Sequence, residues 1–337
     1  MSSAKPTDTN ERSYMKQILL LTTGGTIASV ESEHGLIPGM DSAALLSDVP
    51  EISNLCQLTT RAILNLDSSN LQPKDWQIIA NEVFASLSDY DGIVITHGTD
   101  TMAYTASALF YMLKGLHKPV ILTGSQLPMK SPGTDAKKNL IDAIRTAITG
   151  RPGIFVVFHS RILDGPKVSK IDSFDFNAYD AVDKSPDLGV IQDGQVLFSS
   201  PDFQKPSSSC VLSDQLCNNV VIFQIFPGFS KDFLIQAIDA GVQGIILRGY
   251  GSGNVPGKGN SLLPALHYAK EKRIPVILGT QCTYGGCSST YETGSLALDA
   301  GALSAGSLSI EHALVRLMYL LGQTKDYDQI CRLWEQY

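Results

Sequence analysis

Cysteine is scarce. The 337 residues hold six Cys, none in a CxxC pair, and the nearest two, Cys282 and Cys287, do not make a zinc spacing. A zinc ribbon and a disulfide-stapled secreted scaffold are thereby excluded, and free thiols in a reducing cytoplasm are expected. An excess of positive charge is missing too. Lys and Arg number 26 against 33 Asp and Glu, a net charge of −7, so nothing invites nucleic acid or an anionic membrane surface. No apolar run approaches the roughly 18 residues of a membrane span. The opening stretch, MSSAKPTDTNERSYM, is polar and has no apolar signal core. There is no GxSxG elbow and no HExxH pair. The Gly-rich stretch 249–260 fails both nucleotide patterns: Asn254 stands where the dinucleotide fingerprint needs its third Gly, and Gly259 follows Lys258 where a phosphate loop needs Ser or Thr.

What is present is an ordinary globular composition, 43% hydrophobic, with regular alternation along the chain. QILLLT (17–22), GIVIT (92–96), PVILT (119–123) and GIFVVF (153–158) read as strands buried on both faces. Helix-length stretches separate them: Pro73 through Leu87, Thr101 through Leu113 and Asp135 through Thr149. Pro73 suits a first helical turn, and Asp100 is a candidate cap for the second helix. At 196–219 the texture turns Ser-rich and aperiodic, and beyond it the pattern resumes with VVIFQIF (220–226), GIILR (244–248), PVILG (275–279) and two closing helices near 309–322 and 326–336. The alternation predicts two unequal α/β domains with mostly parallel sheets and flanking helices. Their expected bounds are a disordered tail 1–15, a first domain 16–195, a linker 196–219 and a second domain 220–337.

Two segments stand apart, each following a buried strand. TTGGTIAS (22–29) places two Gly and then Thr26 at a strand's carboxyl end, and ITHGTDTMAYT (95–105) places Gly98, Thr99 and Asp100 between a strand and a helix start. Ligands of open α/β sheets bind outside the carboxyl ends of strands, so both hydroxyls are expected to face one crevice. Thr at such places also caps helices or satisfies turns, and one motif alone would not decide between these roles.

Together the two motifs resemble the bacterial-type L-asparaginase family, in spacing as well as wording. The resemblance runs from about Lys16 to the C-terminus and includes LDSSN (66–70), TGSQLP (123–128), SRILDGPKVSK (160–170) and TQC (280–282). It implies hydrolysis of asparagine to aspartate and ammonia, sometimes with glutamine as a weaker substrate, without metal or cofactor. It also implies a cytoplasmic homodimer or homotetramer with each site near a subunit interface. Thr26 matches the family's first catalytic Thr, Thr99 and Asp100 the second Thr and its following Asp, and Lys170 the Lys paired with them. For substrate binding it points to Asp67, Ser68, Gly98, Thr99 and Asp100.

That assignment fits chemical need. An amide is a poor electrophile, so its hydrolysis wants a positioned nucleophile, a base and donors where the oxyanion forms. Lys170 acts as a base only as the neutral amine; otherwise it is a surface Lys after the Asp164-Gly165 turn. A free amino acid's ammonium calls for a carboxylate such as Asp100, and its carboxylate for hydroxyls and amides such as those of Ser68 and its neighbours. Asp67 either meets the ammonium or orders its own turn.

One family element departs. The mobile loop after Gly-Gly-Thr usually carries a Tyr that touches the first Thr, and here VESEHGLIPGM (30–40) offers Leu36 instead. Within CTYGGCSSTYETG (282–294), Tyr291 is the expected substitute and Tyr284 its rival. Arg248, Thr280 and Cys282, at strand ends of the second domain, form a candidate effector site, with a subunit contact as the other role for Arg248. Two alternative functions stay open: an asparaginase-like amidotransferase subunit, for which 15 tail residues fall short of the family's extra N-terminal domain, and a non-catalytic amino-acid sensor.

Overall fold

The computed structural model describes residues 15–32, 35–38, 47–201, 209–288 and 292–336. The disordered-tail expectation falls, apart from residue 15, outside these residues, as does Tyr291. In chain order the first half contains β1 (Gln17–Gly24), β2 (Ser29–Ser32), β3 (Gly35–Pro38), β4 (Gln57–Leu66), β5 (Gly92–Thr96), β6 (Leu113–Lys114), β7 (Pro119–Thr123), β8 (Gly153–Phe158) and β9 (Arg161–Asp164). Then come β10 (Val168–Lys170), β11 (Tyr179–Ala181), β12 (Gly189–Gln192) and β13 (Gln195–Phe198). Eight of these form one sheet in the order β13-β12-β9-β8-β7-β5-β1-β4. The five strands from β8 to β4 run parallel, and β9, β12 and β13 pair antiparallel.

Burial on both faces explains the continuous apolar runs. Ile18 and Leu20 join one core with Val94, Ile121 and the helix α3 (Ala136–Ile148), while Leu19 and Leu21 join another with Ile93, Leu122 and the helices α1 (Pro73–Ser86) and α2 (Met102–Met112). Pro73 opens α1 as the sequence predicts, and the Asp75 carboxylate accepts from the Gln72 N–H there at 2.8 Å. Asp100 does not cap α2: the cap position belongs to Thr101, and Asp100 is drawn away to an ion pair with Lys170.

The second half starts with β14 (Val211–Leu212), which pairs back onto β6. It continues with β15 (Val220–Gln224), α4 (Lys231–Asp239), β16 (Gly244–Gly249), α5 (Leu263–Glu271), β17 (Val276–Thr280), α6 (Glu292–Asp299), β18 (Leu303–Ser304), α7 (Ile310–Gln323) and α8 (Tyr327–Glu335). A parallel four-stranded sheet, β15-β16-β17-β18, results. The core containing Leu19 and Ile93 reaches into this half through Ile246, Ile277, Val315 and Trp334, so α7 is shared packing between two α/β domains. Within 196–219, β13 covers the first residues and β14 forms a short pairing, so the aperiodic stretch is partly ordered edge structure. Among the described residues, no helix is long and apolar enough to cross a membrane.

Candidate active site

Four loops leave the carboxyl ends of the adjacent parallel strands β4, β1, β5 and β7: LDSSN, TGGT, HGTDT and TGSQ. They meet backbone to backbone. Gly25 adopts φ +79°, and a Cβ built on it would lie 2.4 Å from the Gly98 N; one on Gly98 would lie 2.5 Å from the Ser68 Oγ. No other residue fits these two positions without displacing the neighbouring loop. Gly25 N donates to Leu66 O (3.1 Å), and Thr101 Oγ1 donates to Ser68 O (2.9 Å), which ties the loops further. Thr26 then opens a single 3-10 turn, Thr26–Ala28, and is half-buried.

Beneath the second loop lies His97, fully buried. Its Nδ1 lies 2.7 Å from Gly98 O, which can only accept, so Nδ1 carries the proton and Nε2 accepts from Thr105 Oγ1 at 2.8 Å. Burial lowers the His97 pKa to about 4. A trans peptide points its C=O and N–H in opposite directions, so the Thr99 N–H is turned away from the buried ring.

Thr99, Asp100 and Lys170 come together as the resemblance implies. Lys170 Nζ donates to Thr99 Oγ1 at 2.9 Å and to Asp100 Oδ1 at 2.7 Å. The Lys side chain is 19% exposed and that of Asp100 62%, so the pair spans the boundary between protein and solvent. Thr99 Oγ1 in turn faces Gln126 Oε1 at 3.4 Å, and Gln126 Nε2 donates to Asp175 O at 2.9 Å. Tyr179, buried, donates its hydroxyl to the Thr99 carbonyl oxygen. Burial, aided by the negative charge of Asp100, holds the Tyr179 phenol well above its usual pKa, so it acts as a donor. Ser68 is 4% exposed, and the Asp67 Oδ1 is engaged within its own turn, accepting from Ser69 N (2.8 Å) and Ser69 Oγ (2.7 Å).

Other predicted residues lie elsewhere. Leu36 sits in β3, antiparallel to β2 and opposite Glu31, so the expected loop is partly a strand pair. Tyr284 donates to Asp180 Oδ2 at 3.0 Å and not to Thr26 or Thr99. Arg248, Thr280 and Cys282 do meet at the strand ends of the second sheet. There the Arg248 guanidinium donates to Thr280 O (3.2 Å), Gln281 O (3.3 Å) and Gln224 Oε1 (3.1 Å), and Cys282 N donates to Thr280 Oγ1 (2.9 Å). Two clefts, of about 720 and 650 Å³, are lined by residues such as Asp164, Arg316, Tyr319 and Trp334 and not by Thr26, Thr99 or Lys170. Among the described residues, no group of three His, Cys, Asp or Glu could hold a metal ion. Sequence reasoning missed Tyr179, which follows Lys170 by nine residues. Its only signal is the alternation in AYDA, and pairing of that stretch with VSK is a tertiary fact.

Two α/β domains, with Thr99, Asp100 and Lys170 in contact beside the strand ends, go together with relatives that make this an amidohydrolase. The chain belongs to the asparaginase family: residues 17–204 match the family described as "Asparaginase, N-terminal" and 219–334 the "Glutaminase/Asparaginase C-terminal domain". It is similar to the L-asparaginase of Thermococcus kodakarensis, 40% identical over 330 residues that cover 95% of this chain and 97% of that relative. The solved thermostable L-asparaginase of that organism superposes with a TM-score of 0.90 at 38% identity, covering 95% of this chain and 97% of the other. A glutamyl-tRNA(Gln) amidotransferase subunit of Pyrococcus horikoshii is 35% identical, over 95% of this chain and 75% of that relative.

Proposed function

We propose that the chain hydrolyses L-asparagine to L-aspartate and ammonia. The observation that carries this reading is Lys170 Nζ within 2.9 Å of Thr99 Oγ1 and 2.7 Å of Asp100 Oδ1, beside the loop that presents Thr26. Thr26 Oγ adds to the side-chain carboxamide carbon, and peptide N–H groups around Gly98 and Thr99 stabilise the oxyanion. The C–N bond breaks, ammonia leaves with the proton given up by Thr26, and an aspartyl ester remains. Water then adds to the ester carbon as Thr99 takes its proton and passes its own to Lys170, which in turn hands one to the Asp100 carboxylate. The ester C–O bond breaks, the Thr26 oxygen takes that proton back through the same relay, and aspartate departs. Asp100 meets the substrate ammonium, Ser68 and neighbouring amides meet its carboxylate, Asp67 keeps that loop in shape, and Tyr291 relays the Thr26 proton.

Support over the amidotransferase reading comes from the higher identity to an L-asparaginase, 40% against 35%. Support over a sensor comes from Lys170, which binding alone does not need. The test is ammonia and aspartate release by the purified protein given asparagine, then glutamine. Equimolar products from asparagine are expected. Binding without release from either substrate would leave the sensor, and release only with a partner and charged tRNA would leave the amidotransferase. The reading extends to a cytoplasmic homodimer or homotetramer, checked by light scattering. It also extends to an effector site at Arg248, Thr280 and Cys282, which hyperbolic kinetics unchanged in Arg248→Ala would remove.

A further inference from the structure

Among the described residues the strands β10 and β11 form a backbone ladder only with each other, so their height is set by side-chain contacts and not by hydrogen bonding into either large sheet. The ribbon they form has two faces. Lys170 and Tyr179 are ladder partners and turn toward Thr99. The next pair, Ser169 and Asp180, points the other way, because successive side chains alternate. The second domain holds that far face: Ser169 Oγ donates to Glu311 Oε1 at 2.6 Å, and Tyr284 donates to Asp180. Arg161 ties the ribbon from the first domain through Asp180 and the Tyr179 carbonyl.

Glu311 is an unusual residue to find there. It lies in the first turn of α7, is 7% exposed, and its Oε2 is buried with no hydrogen-bond partner among the described residues. The helix N-terminus favours a negative charge, but burial dominates and raises the carboxyl pKa. Tyr104, Tyr179 and Arg248 are ionisable groups near enough to feel it. An oxygen short of a full hydrogen bond costs about 1–3 kcal/mol, which the nearby backbone N–H of Glu311 itself and the Ser309 hydroxyl offset in part. What the residue achieves is a fixed Ser169.

We propose that Glu311 is a positioning residue for Lys170: it holds Ser169 from behind and so sets the ribbon at the height where Lys170 Nζ meets both Thr99 and Asp100. The inference rests on the reading of those three residues as reacting groups. A displacement of about 1 Å at such a group is enough to cost roughly a hundredfold in rate.

The test compares Glu311→Ala, Ser169→Ala, their double variant and Glu311→Gln. Each Ala variant is expected to lower kcat roughly ten- to hundredfold while KM stays within about threefold. The double variant is expected to be no worse than the poorer single, since both act through one bond. Glu311→Gln keeps an acceptor for Ser169 and recovers most of the loss. Independently of turnover, labelling of Lys170 by trinitrobenzenesulfonate, read by peptide mass, changes several-fold in both Ala variants and returns toward normal in Glu311→Gln. Unchanged kcat and labelling in both Ala variants, even with a lower melting temperature, would overturn the proposal and leave Glu311 a packing residue. Were the wild type to release no ammonia, the proposed function would fail, and the labelling rates would still decide the role of Glu311.

Discussion

Lys170 and Tyr179 stand opposite each other in the β10–β11 ladder, and both end on residue 99: the amine on its side-chain oxygen, the phenol on its main-chain carbonyl. Thr99 is therefore gripped at side chain and backbone by one cross-strand pair. Tyr179→Phe removes the second grip and leaves a buried carbonyl oxygen short of a donor, at a cost of about 1–3 kcal/mol. A lower melting temperature and about a tenfold fall in kcat are expected. A normal kcat at a reduced melting temperature would confine Tyr179 to stability.

Thr26→Ala and Thr99→Ala are each expected to lose most of the activity, roughly a hundredfold or more, with melting temperatures close to wild type. Steady-state ammonia release and thermal denaturation check both halves of the statement. Near-normal turnover in either variant removes that Thr from the chemistry.

Lys170→Met separates proton transfer from binding. The substrate contacts proposed for Asp100 and Ser68 survive, so the loss falls on kcat, with asparagine binding by calorimetry kept within about threefold. Lost binding with intact chemistry would make Lys170 a substrate ligand.

Tyr291 and Tyr284 are distinguished by single-oxygen deletions. Tyr291→Phe is expected to lower turnover roughly 10²–10⁴-fold, the usual yield of a positioned acid–base group. Tyr284→Phe breaks only the bond to Asp180 and is expected to lose far less. The reverse outcome would exchange the two residues.

His97 and His312 are both buried, and burial lowers each pKa to about 4. An unfolded chain protonates them near 6.5. Between pH 6.5 and 4 the unfolded state therefore binds protons that the folded state refuses, and stability falls as the pH falls, by up to about 1.4 kcal/mol per pH unit for each His. Glu311 and Asp164, both raised by burial, work in the opposite sense and reduce the net slope. Chemical denaturation from pH 7 to 4 is expected to show the loss, and His312→Gln to flatten it.

The strand ends were legible because their message is local. TTGGT and HGTDT each follow an apolar run, and the positions of Gly and hydroxyl follow from the need for a turn. Tyr179 and Glu311 were not legible. Their partners, Thr99 and Ser169, lie 80 and 142 residues away, and nothing in AYDA or SIEHAL states that separation. Asp100 misled for a related reason: its position before a helix suggests a cap, and only the arrival of Lys170 gives the carboxylate another partner.

The apolar core that runs from Leu19 and Ile93 through Val315 to Ile246, Ile277 and Trp334 has a consequence for denaturation. Neither half can melt without baring the apolar surface of the other, so unfolding is expected as a single cooperative transition with calorimetric and van't Hoff enthalpies in agreement. A fragment ending near residue 200 would carry α2 with one flank uncovered, and its insolubility would say nothing about the quality of its own catalytic loops.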